Sequence, residues 1–246
     1  ASLHANLGIV FQALDQAERA LAHCQRAVEL APGNAALHYA LAVTKEHLGD
    51  WPGALETLGR ALAITEVPGW YIHRGMTLMA HGDPLAAGRD FERAIELNPR
   101  SSDGYLRLGQ LKELKYSDHD GALQNYVDAL GIDPQSAAAL SARAGLERLQ
   151  GNCEEALRDY SRAIALAPDL QCAYLGRAVL QRAMGNVTGA LADFDTSERL
   201  APEVPEVYAQ RGLLHALQRH DPLSALADFE RVLALRPGDA QTLTNR

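Results

Sequence analysis

A pattern of small and apolar residues recurs about every 34 residues along almost the whole chain. It is first complete within 1–34, where Leu7 and Gly8 are followed by Ala20 and Pro32. A self-similar period of roughly 20–50 residues is typical of solenoids, because each unit buries its apolar face only against its neighbours. The period therefore predicts a row of similar units in place of one globular core.

The proline that closes most units divides the chain into seven complete repeats and a short remainder. The repeats are 1–34, 35–67, 68–101, 102–136, 137–170, 171–204 and 205–239. Residues 240–246 begin the first helix of an eighth repeat, so we expect one elongated domain cut from a longer protein. Because no polar capping helix closes the C-terminal end, we also predict weak self-association through that end.

Each repeat has the pattern of two helices joined by a turn. The position of Ala20 is alanine in every repeat, and the position of Gly8 is always glycine or alanine. Small residues at both positions indicate that the two helices approach closely there. Glycines that follow the first helix, such as Gly49 and Gly82, are typical of left-handed caps, and the closing proline ends the second helix.

These positions resemble the tetratricopeptide repeat, in which Trp, Leu-Gly, Tyr, Ala, Phe, Ala and Pro recur in order. The resemblance covers essentially the whole chain. It implies an all-α, right-handed superhelical solenoid of seven helix-turn-helix repeats that binds a peptide or protein segment in a concave groove. The tyrosine position departs from the family pattern, since Lys45, Lys112, Glu147 and Gln181 occupy it in four repeats. We therefore expect wetter packing between repeats at this position.

The net charge and the cysteine content indicate which classes of partner and which cellular location to expect. The net charge of −8 and the isoelectric point near 5.6 disfavour nucleic acids and anionic membranes, which both select basic surfaces. The cysteines Cys24, Cys153 and Cys172 are far apart, which favours a reducing compartment, and we expect a cytoplasmic location. No run of about 18 apolar residues occurs, so we expect no membrane insertion.

The sequence contains none of the common catalytic or phosphate-binding motifs, so we expect neither an enzyme nor a cofactor. The segments 118–120 and 219–221 hold the residue types that bind metals. Both fall where an extra residue enters the turn between helices, and polar insertions in an exposed turn need no metal. We therefore expect no metal site.

The inner face of the first helices is the candidate binding surface, because the family resemblance places a peptide groove there. The groove positions of the second, third and fourth repeats are Tyr39, Val43, Glu46, His47, Ile72, His73, Met76, Met79, Leu106, Arg107, Gln110 and Glu113. In the third repeat, Ile72, Met76 and Met79 form an apolar stripe that indicates an adaptable binding surface. The alternative is that these residues pack against the first helix of the next repeat.

Arg148 and Arg182 share one groove position in successive repeats. They can hold an acidic side chain or a carboxylate of a partner, and the alternative is two solvated charges on helices. Family members that bind chaperone C-termini use a Lys and Asn clamp, and those that precede a glycosyltransferase carry an Asn ladder. Neither pattern occurs in this sequence.

Two positions covary among the repeats. Four repeats carry an arginine just before the small residue of the first helix, and the same four carry an aspartate in the second helix. The pairs are Arg74 with Asp90, Arg143 with Asp159, Arg177 with Asp193, and Arg211 with Asp228. Because covarying positions suggest contact, we predict a structural ion pair between helices.

The sequence therefore favours a non-enzymatic adaptor whose partner is a protein or peptide. One alternative is the recruiting arm of a larger, glycosyltransferase-like enzyme, which requires a catalytic domain elsewhere in the full-length protein. Another is an envelope assembly factor, which requires a signal or lipidation site upstream of Ala1. The adaptor interpretation requires no sequence feature beyond the repeats themselves.

Overall fold

The computed structural model describes residues 1–237, which form fourteen α-helices and one π-helical turn and contain no strand. The predicted all-α class is confirmed. The predicted start of an eighth repeat, 240–246, and the C-terminal end proposed to self-associate lie outside the described residues. None of the helices within 1–237 is long and apolar enough to cross a membrane.

The chain divides into two compact units, Ala1–Ile132 and Asp133–Arg246. The first unit contains α1 Ser2–Ala13, α2 Ala17–Leu30, α3 Ala35–His47, α4 Trp51–Ile64, α5 Pro68–His81, α6 Pro84–Leu97, α7 Ser102–Leu111, the π-helical turn Lys112–Tyr116, and α8 His119–Ile132. The second contains α9 Ala137–Leu149, α10 Cys153–Leu166, α11 Gln171–Ala183, α12 Val187–Leu200, α13 Pro205–Leu217 and α14 Pro222–Leu235. Within each unit, every odd-numbered helix packs on the following even-numbered helix to form a hairpin.

The turns between the two helices of a hairpin follow the predicted cap chemistry. Gly49, Gly82, Gly151 and Gly185 all have φ between 76° and 105°, as expected for left-handed caps. The three repeats that lack this glycine place Asp15, Ser117 and His220 in the same left-handed region. The turn geometry is therefore common to all seven repeats, and glycine only lowers the conformational energy of the left-handed residue.

Polar residues ahead of the second helices act as N-caps. Asp50, Asp83 and Asp221 each accept a hydrogen bond from a backbone N–H in the first turn of the helix that follows. Asp118, in one of the two segments with metal-binding residue types, accepts from the backbone N–H of Gly121 at 3.0 Å in the same way. These acidic residues serve the helix starts, where unsatisfied N–H groups and the helix dipole favour a carboxylate.

The core of each hairpin contains a buried alanine, and in the last five hairpins the second helix adds an aromatic ring. The alanines at the position of Ala20 are all buried, at most 4% exposed. The small residue in the first helix is needed because the ring lies directly over it. A Cβ added to Gly75 would lie 2.6 Å from Phe91 Cε1, and one added to Gly109 would lie 2.6 Å from Tyr126 Cε1. The close helix approach inferred from sequence is confirmed at these two positions.

Candidate binding faces of the first helices

Each of the four covarying Arg/Asp pairs forms an ion pair within its own repeat. The shortest distances are 2.6 Å for Arg74 to Asp90, 2.6 Å for Arg143 to Asp159, 2.7 Å for Arg177 to Asp193, and 2.8 Å for Arg211 to Asp228. All four aspartates are buried. The hydrogen bond from each of the first three guanidiniums to its aspartate raises the pKa of that arginine. The pairs join the first helix to the second, so they hold the hairpin together.

Residues at the tyrosine position also make contacts inside a hairpin. Lys45 Nζ donates to Thr57 Oγ1 at 3.0 Å, and Gln181 Nε2 donates to Asp193 Oδ2 at 3.0 Å. The sequence analysis expected wetter packing between repeats at this position. At these two positions that expectation is wrong, because the polar contacts lie between the two helices of one repeat. The reason is that the position faces the second helix of its own hairpin.

A polar network joins α3 to α5 in the first unit. His73 Nδ1 lies 2.9 Å from the Tyr39 hydroxyl, His73 Nε2 lies 2.7 Å from Glu46 Oε2, and the Thr77 hydroxyl donates to Glu46 Oε1 at 2.8 Å. Burial alone would raise the pKa of Glu46, but the hydrogen bonds from His73 and Thr77 outweigh it and leave the pKa below its usual value. Burial and the Glu46 charge raise the pKa of Tyr39. Three groove positions predicted from sequence, Tyr39, Glu46 and His73, are thus brought together.

An aromatic stack lies beside this network. The rings of Tyr39 and Trp70 are stacked with centroids 4.9 Å apart. Trp70 also lines a cleft of about 630 Å³ whose other walls come mainly from small residues at the start of α3 and the turn before it, including Ala35 and Ala36. The sequence analysis missed Trp70. It lies three residues before His73, so it shares a helix face with a residue that the analysis did select.

The apolar stripe of the third repeat divides between core and surface. Met76 is 38% exposed, whereas Ile72 is 7% exposed and belongs to a buried cluster with Phe91 and Leu111. Met79 packs against the same cluster. The assignment of Ile72 to the groove is wrong, and Met79 is half-buried against the same cluster. The reason is that α7 supplies Leu111 to this side of α5 and covers it.

In the fourth repeat, the groove assignment of Leu106 is also wrong, since it is only 5% exposed. Arg107 donates to Asp103 Oδ1 at 3.1 Å and to Gln110 Oε1 at 3.2 Å. The groove positions Arg107 and Gln110 therefore form hydrogen bonds within their own helix. Glu113 accepts from the hydroxyl of Tyr126 in α8 at 2.6 Å. This face of α7 therefore offers fewer free groups to a partner than the face of α5.

The remaining predicted positions, apart from Val43 inside α3, lie in the last turns of their helices. Val43 is half-buried and His47 is exposed at the end of α3. In the second unit, Arg148 and Arg182 lie in the last turns of α9 and α11. The Nε atom of each arginine is buried and has no hydrogen-bond partner. Polar atoms left in this state are uncommon in folded proteins.

Two family models, both described as tetratricopeptide repeat, match the chain. One matches 12–67, and the other matches four overlapping segments, 73–137, 113–171, 143–205 and 175–240. The chain belongs to the tetratricopeptide repeat family. Repeats of this family generally mediate protein–protein interaction, and the family is generally non-enzymatic.

Known tetratricopeptide repeat proteins resemble the chain in sequence and in fold. Human tetratricopeptide repeat protein 6 is 25% identical over 139 residues, a match that covers 56% of this chain and 26% of that protein. The chain thus spans about a quarter of the length of this relative.

The solved structures share the fold at low sequence identity. A tetratricopeptide repeat protein from Parabacteroides merdae is 21% identical with a TM-score of 0.78, covering 99% of this chain and 96% of that one. The Cut9–Hcn1 hetero-tetramer of the APC/C is 13% identical with a TM-score of 0.83, covering 90% of this chain and 44% of that one. The predicted solenoid class is confirmed.

Proposed function

We propose that this tetratricopeptide repeat chain is an interaction scaffold that binds a segment of a partner protein on the first-helix face of α3 and α5. The observation that carries the proposal is the stack of Tyr39 and Trp70 beside an open cleft, with exposed Met76 farther along α5. Tyrosine and tryptophan are the residues that most often dominate binding energy, and methionine adapts to irregular partner surfaces.

The polar network supports the proposal because it fixes the face before a partner arrives. Glu46 is held by His73 and by Thr77, and Tyr39 is held by His73 and by the Trp70 ring. Side chains that are already ordered lose little conformational entropy on binding. The face thus combines apolar anchors with a rigid polar edge, which is the usual composition of a specific interface.

The same binding role serves a stand-alone adaptor, the recruiting arm of a larger enzyme, or an envelope assembly factor. These readings differ in what is joined to the repeats and share the chemistry of the face. The full-length open reading frame separates them, since a catalytic domain or a lipidation site beside the repeats decides between them.

Met76→Glu tests the face, because it places a charge beside the apolar anchors while the side chain lies outside the buried cluster. Peptides selected on the unchanged protein from a random display library serve as the probe. We expect Met76→Glu to weaken their binding about tenfold or more, measured by fluorescence anisotropy. Met79 is left unchanged because it packs on the core.

The matched control is Leu85→Glu, which adds the same charge at an exposed leucine in the second helix of the same repeat. It should change peptide affinity less than about twofold, and both variants should melt within about 2 °C of the unchanged protein. Unchanged affinity in Met76→Glu, or equal losses in the two variants, would contradict the proposed face.

A further inference from the structure

Arg148 is half-buried, and its guanidinium has no acceptor among residues 1–237. The side chain makes no hydrogen bond and no ion pair with any residue of 1–237, and its Nε atom is buried. The half-buried arginines of the hairpins differ, since Arg74, Arg143, Arg177 and Arg211 are each neutralised by a buried aspartate. A position in the last turn of α9 suits a positive charge, but the helix dipole does not satisfy a buried N–H group.

The packing of α10 explains why Arg148 lacks an acceptor. In the next repeat, Arg182 Nη2 donates to Gln210 Oε1 at 3.0 Å, a residue 28 positions farther along the chain. The residue at the same separation from Arg148 is Gly176. A Cβ at Gly176 would lie 2.5 Å from Cε1 and Cζ of the Tyr160 ring. Because the ring occupies this space, no side chain can stand there to receive Arg148.

Within the part of the chain that the structure describes, the only acceptor of the Arg182 guanidinium is a neutral amide. Gln210, its acceptor, turns its own amide N–H₂ to Glu206 Oε1 at 2.6 Å, and Glu206 is exposed and does not contact Arg182. The Nε atom of Arg182 is buried without a partner. Both guanidinium charges therefore stay uncompensated in a chain whose net charge is −8.

The two arginines occupy the same position on first helices that contact each other, α9 and α11. Packed helices lie about 8–10 Å apart, which sets the scale of the separation between the two charges. A chain in the polyproline II conformation has three residues per turn and rises about 3.1 Å per residue, so side chains three residues apart point to the same side and are separated by about 9 Å. Carboxylates are the groups that guanidiniums bind most strongly, often through two hydrogen bonds.

We propose that Arg148 and Arg182 bind two acidic side chains, three residues apart, in a polyproline II segment of a partner protein. This inference rests on the proposed scaffold function, because it names the chemistry of a partner segment bound by first helices of the second unit. The acidic net charge of the protein disfavours nucleic-acid phosphates as the ligand, since these select surfaces that are basic over a large area.

The test uses the full chain and the same random peptide library. We expect peptides selected on the unchanged protein to be enriched in Asp or Glu pairs separated by two residues. The double variant Arg148→Gln with Arg182→Gln should lose this enrichment, and a selected acidic peptide should bind it about tenfold or more weakly. Arg148→Lys with Arg182→Lys keeps the charge but loses the planar guanidinium. Its affinity for the acidic peptide should therefore fall between that of the unchanged protein and that of the double Gln variant.

The control is Arg162→Gln with Arg199→Gln, which removes the same charge from two exposed positions on α10 and α12. It should keep the enrichment, and thermal melts should show that all the variants fold. Acidic pairs that are absent on the unchanged protein, or that persist in Arg148→Gln with Arg182→Gln, would overturn the inference. Tighter binding of a 12-residue oligouridylate than of the acidic peptide would overturn it as well.

Failure of this inference is distinguishable from failure of the proposed function. If Met76→Glu weakens peptide binding while the arginine variants do not, the scaffold function stands and the acidic preference is wrong. If the arginine variants lose binding while Met76→Glu has no effect, the acidic site stands and the proposed face on α3 and α5 is wrong.

Discussion

At the scale of single residues, the Arg/Asp pairs show how a charge is kept inside a helix hairpin. Asp193 is buried and accepts hydrogen bonds from Arg177 and Gln181, so its charge is balanced and its oxygens are satisfied. The fourth repeat fills the corresponding positions with Leu108 and Asn125. A buried ion pair and a well-packed uncharged pair often contribute similarly to stability. A hairpin can therefore carry either the Arg/Asp pair or the Leu/Asn pair, provided that both residues of the pair are present.

Asp193→Ala is expected to destabilise the second unit by about 3 kcal/mol, because Arg177 would stay half-buried without its carboxylate. Urea denaturation followed by circular dichroism measures this loss. The double variant Arg177→Leu with Asp193→Asn copies the fourth repeat and should recover about half of it or more. A double variant as unstable as Asp193→Ala would show that the unpaired guanidinium is not the cause.

At the scale of helices, five of the seven hairpins pair one aromatic ring with a small residue in the first helix. The side chain of Phe91 leaves no room for a Cβ at Gly75. In the second repeat the small position is Ala42, and the position of the ring is Leu58. The size of the residue in the first helix is thus coupled to the side chain of the second helix, which sets how closely the two helices pack.

Gly75→Ala is expected to destabilise the first unit by about 1–3 kcal/mol, because the new methyl group would overlap the Phe91 ring. Phe91→Leu should relieve that overlap, so the loss in Gly75→Ala with Phe91→Leu should be smaller than the sum of the single losses by about 1 kcal/mol. A double-mutant cycle from urea denaturation measures the coupling. If the stability losses of the two single variants simply add in the double variant, the proposed contact between residue 75 and the Phe91 ring is contradicted.

At the scale of the whole molecule, stability is distributed over two compact units. The cluster that includes Ile72, Phe91 and Leu111 lies in the first unit, and the cluster that includes Phe194, Val207 and Leu214 lies in the second. In repeat proteins each hairpin is stabilised mainly by its direct neighbours, and about three repeats suffice for a stable array.

The fragment 1–132 is therefore expected to fold without the rest of the chain. Its mean residue ellipticity at 222 nm should reach about 90% of the value for the full chain, and it should melt cooperatively. Circular dichroism on the purified fragment tests this expectation. A spectrum typical of an unfolded chain would show that the first unit depends on residues beyond Ile132.

The sequence predicted the class of fold and the interior of each hairpin. The alanine at the position of Ala20, the small residue facing the ring, and the four glycine caps all recur with the period, so seven copies point to one local geometry. Covariation predicted the Arg/Asp contacts for the same reason. These features depend on contacts within a single repeat, and the period displays them repeatedly.

What the sequence alone determined is thus the helix hairpin and its internal contacts, because every repeat is an independent sample of the same packing problem. Only the tertiary structure decided which side of each first helix stays open. It covers Ile72, exposes Met76, stacks Trp70 on Tyr39 and leaves Arg148 without an acceptor. The physical reason is that exposure of one helix depends on side chains supplied by neighbouring repeats, such as Leu111 beside α5, and no pattern within one repeat contains them.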